Sequence, residues 1–353
     1  MHNPFTWGLP ALSILASISI TSTPIVADSL AGRGTPSLPL PVTLVHAFEV
    51  GDWCENLAVR ANGQILVSRL DTPVVLQVDP TGIVEPVTVF AWNTSEYRGA
   101  LGISETTPDV FYVILSAFIN SSFVRTSGVN SIFEIDMNSF AITNGTVTQN
   151  ATVTKLVDIP SSDSLNGMTT LDDSNIFVGD VYNGWVYKVN TTNGSYSIAI
   201  NDPNMKAPVG ATTHLGVNGL KIHDFYLYWT NSAVGSLNRI QITADGTPVG
   251  NSSVVFANEA GTDDFVFKGD GTAFVALNSQ NQLAALFEGS STLVTVAGSN
   301  FSTALAGVTA GRFGRLPDDL NRLYVSTKGA STTPINGTIL VGASVSYIDT
   351  TGL

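Results

Sequence analysis

The chain has 353 residues, with 15 Lys and Arg against 28 Asp and Glu, for a formal net charge of −13. That acidity, with its basic residues scattered and none in runs, excludes a nucleic-acid backbone as partner, because phosphate binding needs clustered Lys and Arg. Charged side chains make up only 12% of the chain and Gly numbers 32, which suits short strands joined by tight turns and not long charged helices.

In chain order, "LPALSILASISI" is an apolar stretch followed by the small residues of "TSTPIVA". Residues 1–27 therefore read as a signal peptide cleaved near Ala27, residues 28–41 as a flexible segment, and 42–353 as the folded domain. The apolar run is shorter than a membrane span needs, and no later segment qualifies as one. Nine Asn-X-Ser/Thr sequons follow, at Asn93, Asn120, Asn144, Asn150, Asn190, Asn193, Asn251, Asn300 and Asn336. With the leader they imply a glycoprotein of the secretory pathway, secreted or lumenal. Cys54 is the single cysteine, so no internal disulfide forms and the thiol reads as a small buried hydrophobe.

Six segments then share one pattern: a polar or small opening residue, a short alternating strand, a turn, and a second strand. They begin at Glu55 ("ENLAVRANGQILVSRL"), Leu101, Asn166 ("NGMTTLDDSNIFVGDV"), Asn218 ("NGLKIHDFYLYWTNS"), Asp263 ("DDFVFKGDGTAFVAL") and Ala306. The starts are 46, 65, 52, 45 and 43 residues apart, the length of a four-stranded propeller blade. Third strands are legible in "VVLQVDPTG", "SIFEIDMNS", "GWVYKVNTTNG" and "SLNRIQITADG". The wide gap from Ser116 to Leu165 reads as a long hairpin excursion. "VTLVHAFEV" before the first repeat and "GTILVGASVSYI" near the C-terminus predict a ring closed by pairing the two chain ends. The fold class is all-β, a six-bladed β-propeller; an irregular β-sandwich is the competing reading.

In such a ring each opening residue points at a common axis. Glu55, Asn166, Asn218 and Asp263 then converge, and hard oxygen ligands of this kind suit Ca²⁺ or Mg²⁺ better than Zn²⁺. Asn-Gly is also the commonest tight-turn signature, so turn geometry alone is the other reading of Asn166 and Asn218. Trp53, Tyr97, His214, Phe265 and Phe313, with His46 in the preceding strand, are the candidate aromatic walls of a small-molecule site. None of the four His has zinc spacing, and there is no G-x-S-x-G elbow or P-loop.

The repeats resemble the senescence marker protein/gluconolactonase superfamily, which includes regucalcin, lactonases and calcium-dependent phosphotriesterase-like proteins. That resemblance implies a divalent metal on Glu55, Asn166, Asn218 and Asp263, with Asp263 as general base in a lactonase. The chain departs from the pattern in reading "CENLAV" at the first site and "TDDF" at the fifth. Ser164 also stands where a substrate-gripping Arg is common. More narrowly, "ENLAVRANGQILVSRLDTPVVLQVDP" is similar to a fungal secreted subgroup that includes hetero-Diels–Alderases of tropolone-sesquiterpenoid biosynthesis. These join a tropolone quinone methide to a sesquiterpene alkene such as humulene. The subgroup implies an apolar polyketide–terpenoid substrate and a cycloaddition that requires no cofactor, and no obligate protein partner is evident. Three readings stay open: this cycloaddition, a Ca²⁺-dependent lactonase, and a non-catalytic binding propeller.

Overall fold

The structure, a computed structural model, describes residues 36–116 and 129–353. The expected signal peptide, residues 28–35 and the Asn120 sequon lie outside the described residues. Within Ser37–Thr351 the described strands form six four-stranded antiparallel sheets and one two-stranded hairpin. Each sheet is a blade. Its first strand lies innermost, and these first strands touch one another in sequence around an axis: Cys54–Val59, Gly99–Glu105, Leu165–Asp172, Val217–His223, Thr262–Phe267 and Val308–Phe313.

Burial explains why the blades need one another. Six apolar clusters lie between neighbouring blades. Phe177 of blade three packs with Leu220 and Trp229 of blade four, and Phe274 of blade five packs with Val308 and Leu323 of blade six. Each such side chain contributes about 2 kcal/mol when withdrawn from water. A single blade, apolar on both faces, has no other way to bury them.

The chain ends close the ring as the sequence predicts. Thr43–Ala47 is the outer strand of blade six and pairs antiparallel with Ser344–Asp349, Thr43 opposite Tyr347 and Ala47 opposite Ser344. Two expectations change. The segment expected to be flexible is anchored at one point: Leu40 is buried between blades five and six, and its N–H donates to the Val296 carbonyl at 2.7 Å, while residues 37–39 and 41 are exposed. The described part of the Ser116–Leu165 gap supplies blade two with its third and fourth strands, Asn130–Asp136 and Thr152–Ile159, plus a small hairpin between them. The described sequon asparagines are exposed, apart from half-buried Asn190.

At the mouth every innermost strand carries a register shift against its second strand. The shifts fall between Cys54 and Asn56, Ala100 and Ile103, Leu165 and Met168, Val217 and Leu220, Thr262 and Phe265, and Val308 and Ala310. These β-bulges re-aim side chains. They let two successive residues, such as Glu55 and Asn56 or Asp263 and Asp264, make contacts across the axis. Asn166 and Asn218 therefore sit inside strands, not in turns. Gly167 follows Asn166 because the neighbouring strand comes so close: a Cβ there would lie 1.9 Å from the Asn218 carbonyl oxygen.

Candidate active site

Two sets of positions build the mouth. The first is the bulge residue of an innermost strand: Glu55, Leu101, Asn166, Asn218 and Asp263. The second is the residue immediately after each second strand: Leu70, Val181, Ser232, Asn278 and Lys328 in blades one, three, four, five and six. Blade two's counterpart lies outside the described residues. Both sets line one pocket of about 340 Å³, together with Trp53 and Leu215. That volume is at the lower end of small-molecule sites.

The polar floor is a connected network. Trp53 is fixed first: its backbone N–H donates to Asp71 Oδ1 at 2.7 Å, and its carbonyl accepts from Leu70. The indole Nε1 then donates to Glu55 Oε2 at 2.6 Å, and Asn166 Nδ2 donates to Glu55 Oε1 at 3.1 Å. Asp263 is held in the same way, by Asn218 Nδ2 on Oδ1 at 2.9 Å and by Asn278 Nδ2 on Oδ2 at 3.0 Å. Leu70, Leu101, Val181 and Leu215 add aliphatic surface to the same pocket.

Electrostatics separates the two acids. Burial raises the Glu55 carboxyl, and the Trp53 and Asn166 bonds oppose that rise. Burial and then the Glu55 charge push Asp263 well above the ordinary carboxylate range. Lys328 faces both acids; burial lowers its ammonium while the charges of Asp263 and Glu55 resist.

One layer deeper, Asp264 accepts from Lys221 Nζ at 2.7 Å and from Asn56 Nδ2 at 3.1 Å, with Arg312 3.7 Å away. Burial alone would raise Asp264; Lys221 and Arg312 outweigh it and hold the carboxyl low. This charged layer spans the axis directly beneath the mouth pocket.

Two carboxylates and two amide oxygens are the right donor types for calcium. Their arrangement does not fit a resident ion. An ammonium, that of Lys328, already shares the pocket with both acids. Among the described residues no group of three or more His, Cys, Asp or Glu is arranged to hold a metal.

The four axial residues expected from the sequence come together, and Trp53 joins them. The other expected aromatics do not. Tyr97 is buried between blades one and two, with its hydroxyl 3.1 Å from Ser131 Oγ. Phe265 is buried between blades four and five, because the bulge gives Asp264 the axial direction and turns Phe265 sideways. Phe313 packs edge-on against Phe274 and lines a different cleft with Arg312 and Arg315. His214 is exposed in the loop between Thr213 and Leu215, and His46 packs on Phe48 in blade six. Ala306 is not the sixth axial residue either: the blade-six bulge falls at Thr309, whose hydroxyl donates to the Cys54 carbonyl at 2.8 Å. Sequence reasoning missed Lys328 and Asn278. The signal was present, since each is the first residue past a second strand.

No protein-family model matches the chain. It is 30% identical over 350 residues to a protein of Sarocladium schorii designated hetero-Diels-Alderase asR5, covering 89% of this chain and 84% of that one. It is 27% identical over 319 residues to a protein of a Phoma species that is also designated a hetero-Diels-Alderase, covering 83% and 88%. Solved structures with the same architecture include a luciferin-regenerating enzyme, with a TM-score of 0.61 at 13% identity over 88% of this chain and 95% of that one. Another is regucalcin from Agrobacterium tumefaciens, with a TM-score of 0.60 at 12% identity over the same shares. Likeness at such identity speaks to the fold alone. The identity and coverage of the Sarocladium relative make this chain a member of the hetero-Diels-Alderase family.

Proposed function

We propose that the protein catalyses a hetero-Diels–Alder cycloaddition in the central mouth, joining a tropolone quinone methide to a humulene-type sesquiterpene alkene. Family membership supports the reaction class. The observation that carries the location is the mixed lining of the mouth pocket, where Trp53, Lys328 and Asn166 stand with Leu70, Leu101, Val181 and Leu215.

The chemistry asks little of a protein beyond placement. The oxygen-terminated diene and the alkene form one C–O and one C–C bond, and every atom of both is retained. No nucleophile and no electron acceptor is needed. Holding the partners at near-attack distance contributes through proximity. A donor on the quinone methide oxygen makes the diene more electron-poor as charge develops there. Asp263, in the acid form that burial favours, is the proposed donor; Asn166, which commits one amide hydrogen to Glu55, lines the same pocket, whereas Asn218 spends both of its amide hydrogens on Ser232 and Asp263. Leu70, Leu101, Val181 and Leu215 offer the terpene an apolar surface, and Trp53 lines the same pocket.

The test is stereochemical. Quinone methide generated in situ with humulene gives a mixture of adduct stereoisomers without protein; the protein should give one in excess and faster, undiminished by a calcium chelator. Trp53→Ala should lower kcat/KM by about tenfold, which is about 1.4 kcal/mol of transition-state binding. An unbiased adduct mixture at the uncatalysed rate would refute the assignment. Activity lost to chelator would transfer it to metal chemistry.

A further inference from the structure

We infer that Lys328 is the resident cation of the mouth: its ammonium lies over the Trp53 ring, more than 4 Å from either carboxylate, and supplies from there the positive charge that Glu55, Asp263, Asn166 and Asn218 would otherwise draw from a divalent ion. This deepens the reading above, since it makes Lys328 the positive group facing the reacting oxygen, but its main test does not depend on that reaction.

The geometry is specific to this side chain. Lys328 is the first residue after the second strand of blade six, and its N–H donates to the Gly307 carbonyl at 2.9 Å. Its stem runs across Gly307, which has φ +61°. A Cβ on that glycine would lie 2.5 Å from Lys328 Cγ and 2.6 Å from Cε. Glycine at 307 thus leaves the passage by which the lysine reaches inward. At the far end Nζ lies 5.0 Å from the centroid of the Trp53 ring, whose indole N–H is committed to Glu55. An ammonium over an aromatic face is attracted by the ring's quadrupole. Among the described residues lining the pocket it is the single basic one.

Charge makes the arrangement self-consistent. Whether Glu55 and Asp263 are both ionised or share one proton, a buried negative charge remains in the pocket, and a cation offsets it. Elsewhere in the channel this protein meets the same need with its own side chains, as Lys221 and Arg312 do for Asp264. Among the described residues the other positions equivalent to Lys328 are Leu70, Val181, Ser232 and Asn278, and none of these carries charge.

The experiment removes the ammonium and offers calcium instead. Wild-type protein stripped with chelator, when titrated with calcium chloride in a calorimeter, should show no saturable heat, and its Tm should not move. Lys328→Met and Lys328→Gln should each gain one saturable site with a Kd below about 1 mM, the range of weak protein calcium sites. Their Tm should rise by several degrees with calcium. A variant that folds only with calcium present reports the same gain. Adding Glu55→Gln to Lys328→Met should abolish it. Stoichiometric calcium on the wild type overturns the inference, as do folded variants that bind none or a site that survives Glu55→Gln. Lys328→Arg, which keeps the charge, should stay calcium-blind and retain more cycloaddition kcat than Lys328→Met; equal kcat in the two would leave the cation seat standing and remove its part in the reaction.

Discussion

Lys221 and Asp264 meet at 2.7 Å beneath the mouth, with Arg312 on the carboxylate's other oxygen. Burial, and then the like charge of Arg312, lower the lysine to about 8 although Asp264 pulls the other way. An unfolded lysine titrates at about 10.4. Below pH 8 both states hold the proton and the whole penalty of the buried charge stands. Between the two values the unfolded chain keeps a proton that the folded chain has released, so stability rises with pH across that window by about 3 kcal/mol in total. Urea titrations at stepped pH should show this as a climb that the wild type has and Lys221→Met lacks. At neutral pH the variant should be the weaker protein by about 3 kcal/mol, because Asp264 then keeps a buried charge with only a more distant counter-charge. Parallel pH profiles for the two proteins would exclude Lys221 as the source.

The innermost strands show why an alternating pattern was readable along most of the chain and misleading at the mouth. Strand existence, order, turns and closure follow from apolar alternation and spacing, and these survived because they are properties of whole segments. A bulge adds one residue on one side only, so alternation counted from the mouth residue fails immediately beyond it. The bulge is why Phe265, two residues past the axial Asp263, lies in the core, and why Thr309 and not Ala306 takes the axial position of blade six. Asn-Gly was ambiguous for a related reason: the glycine answers to a neighbouring strand, which no local pattern reveals. Gly167→Ala should test this at the level of the element. Its Cβ would lie 1.9 Å from the Asn218 carbonyl, forcing two inner strands apart, at a cost of about 3 kcal/mol. Gly179→Ala, in the second strand of the same blade, meets Leu220 no closer than 3.5 Å and should stay within about 1 kcal/mol of wild type. Comparable losses in Tm for the two would show that close approach is not what keeps glycine at 167.

The ring as a whole depends on contacts between residues at opposite ends of the chain. Blade six takes its outer strand from Thr43–Ala47 and its other three from beyond residue 307. Its inner strand and the turn after it then grip blade one: Thr309 donates to the Cys54 carbonyl at 2.8 Å, and Arg315 Nη1 donates to the Val59 carbonyl at 3.0 Å. Because Glu55 lies on that same first strand, the seam and the mouth share backbone. Weakening closure should therefore cost stability and activity together. Val45, buried between blades six and one, is the place to do it: Val45→Asp puts an unpaired charge into that interface, at a cost of about 4 kcal/mol. Val249→Asp makes the same change on the outer strand of blade four, where the valine is exposed, and should cost no more than about 0.5 kcal/mol. Urea unfolding followed by far-UV circular dichroism and by tryptophan fluorescence should place the Val45→Asp midpoint well below wild type with both probes. Its adduct stereoselectivity should fall at denaturant concentrations the wild type tolerates. Coincident midpoints for the two variants would mean that the terminal strand decorates the sixth blade without holding the circle shut.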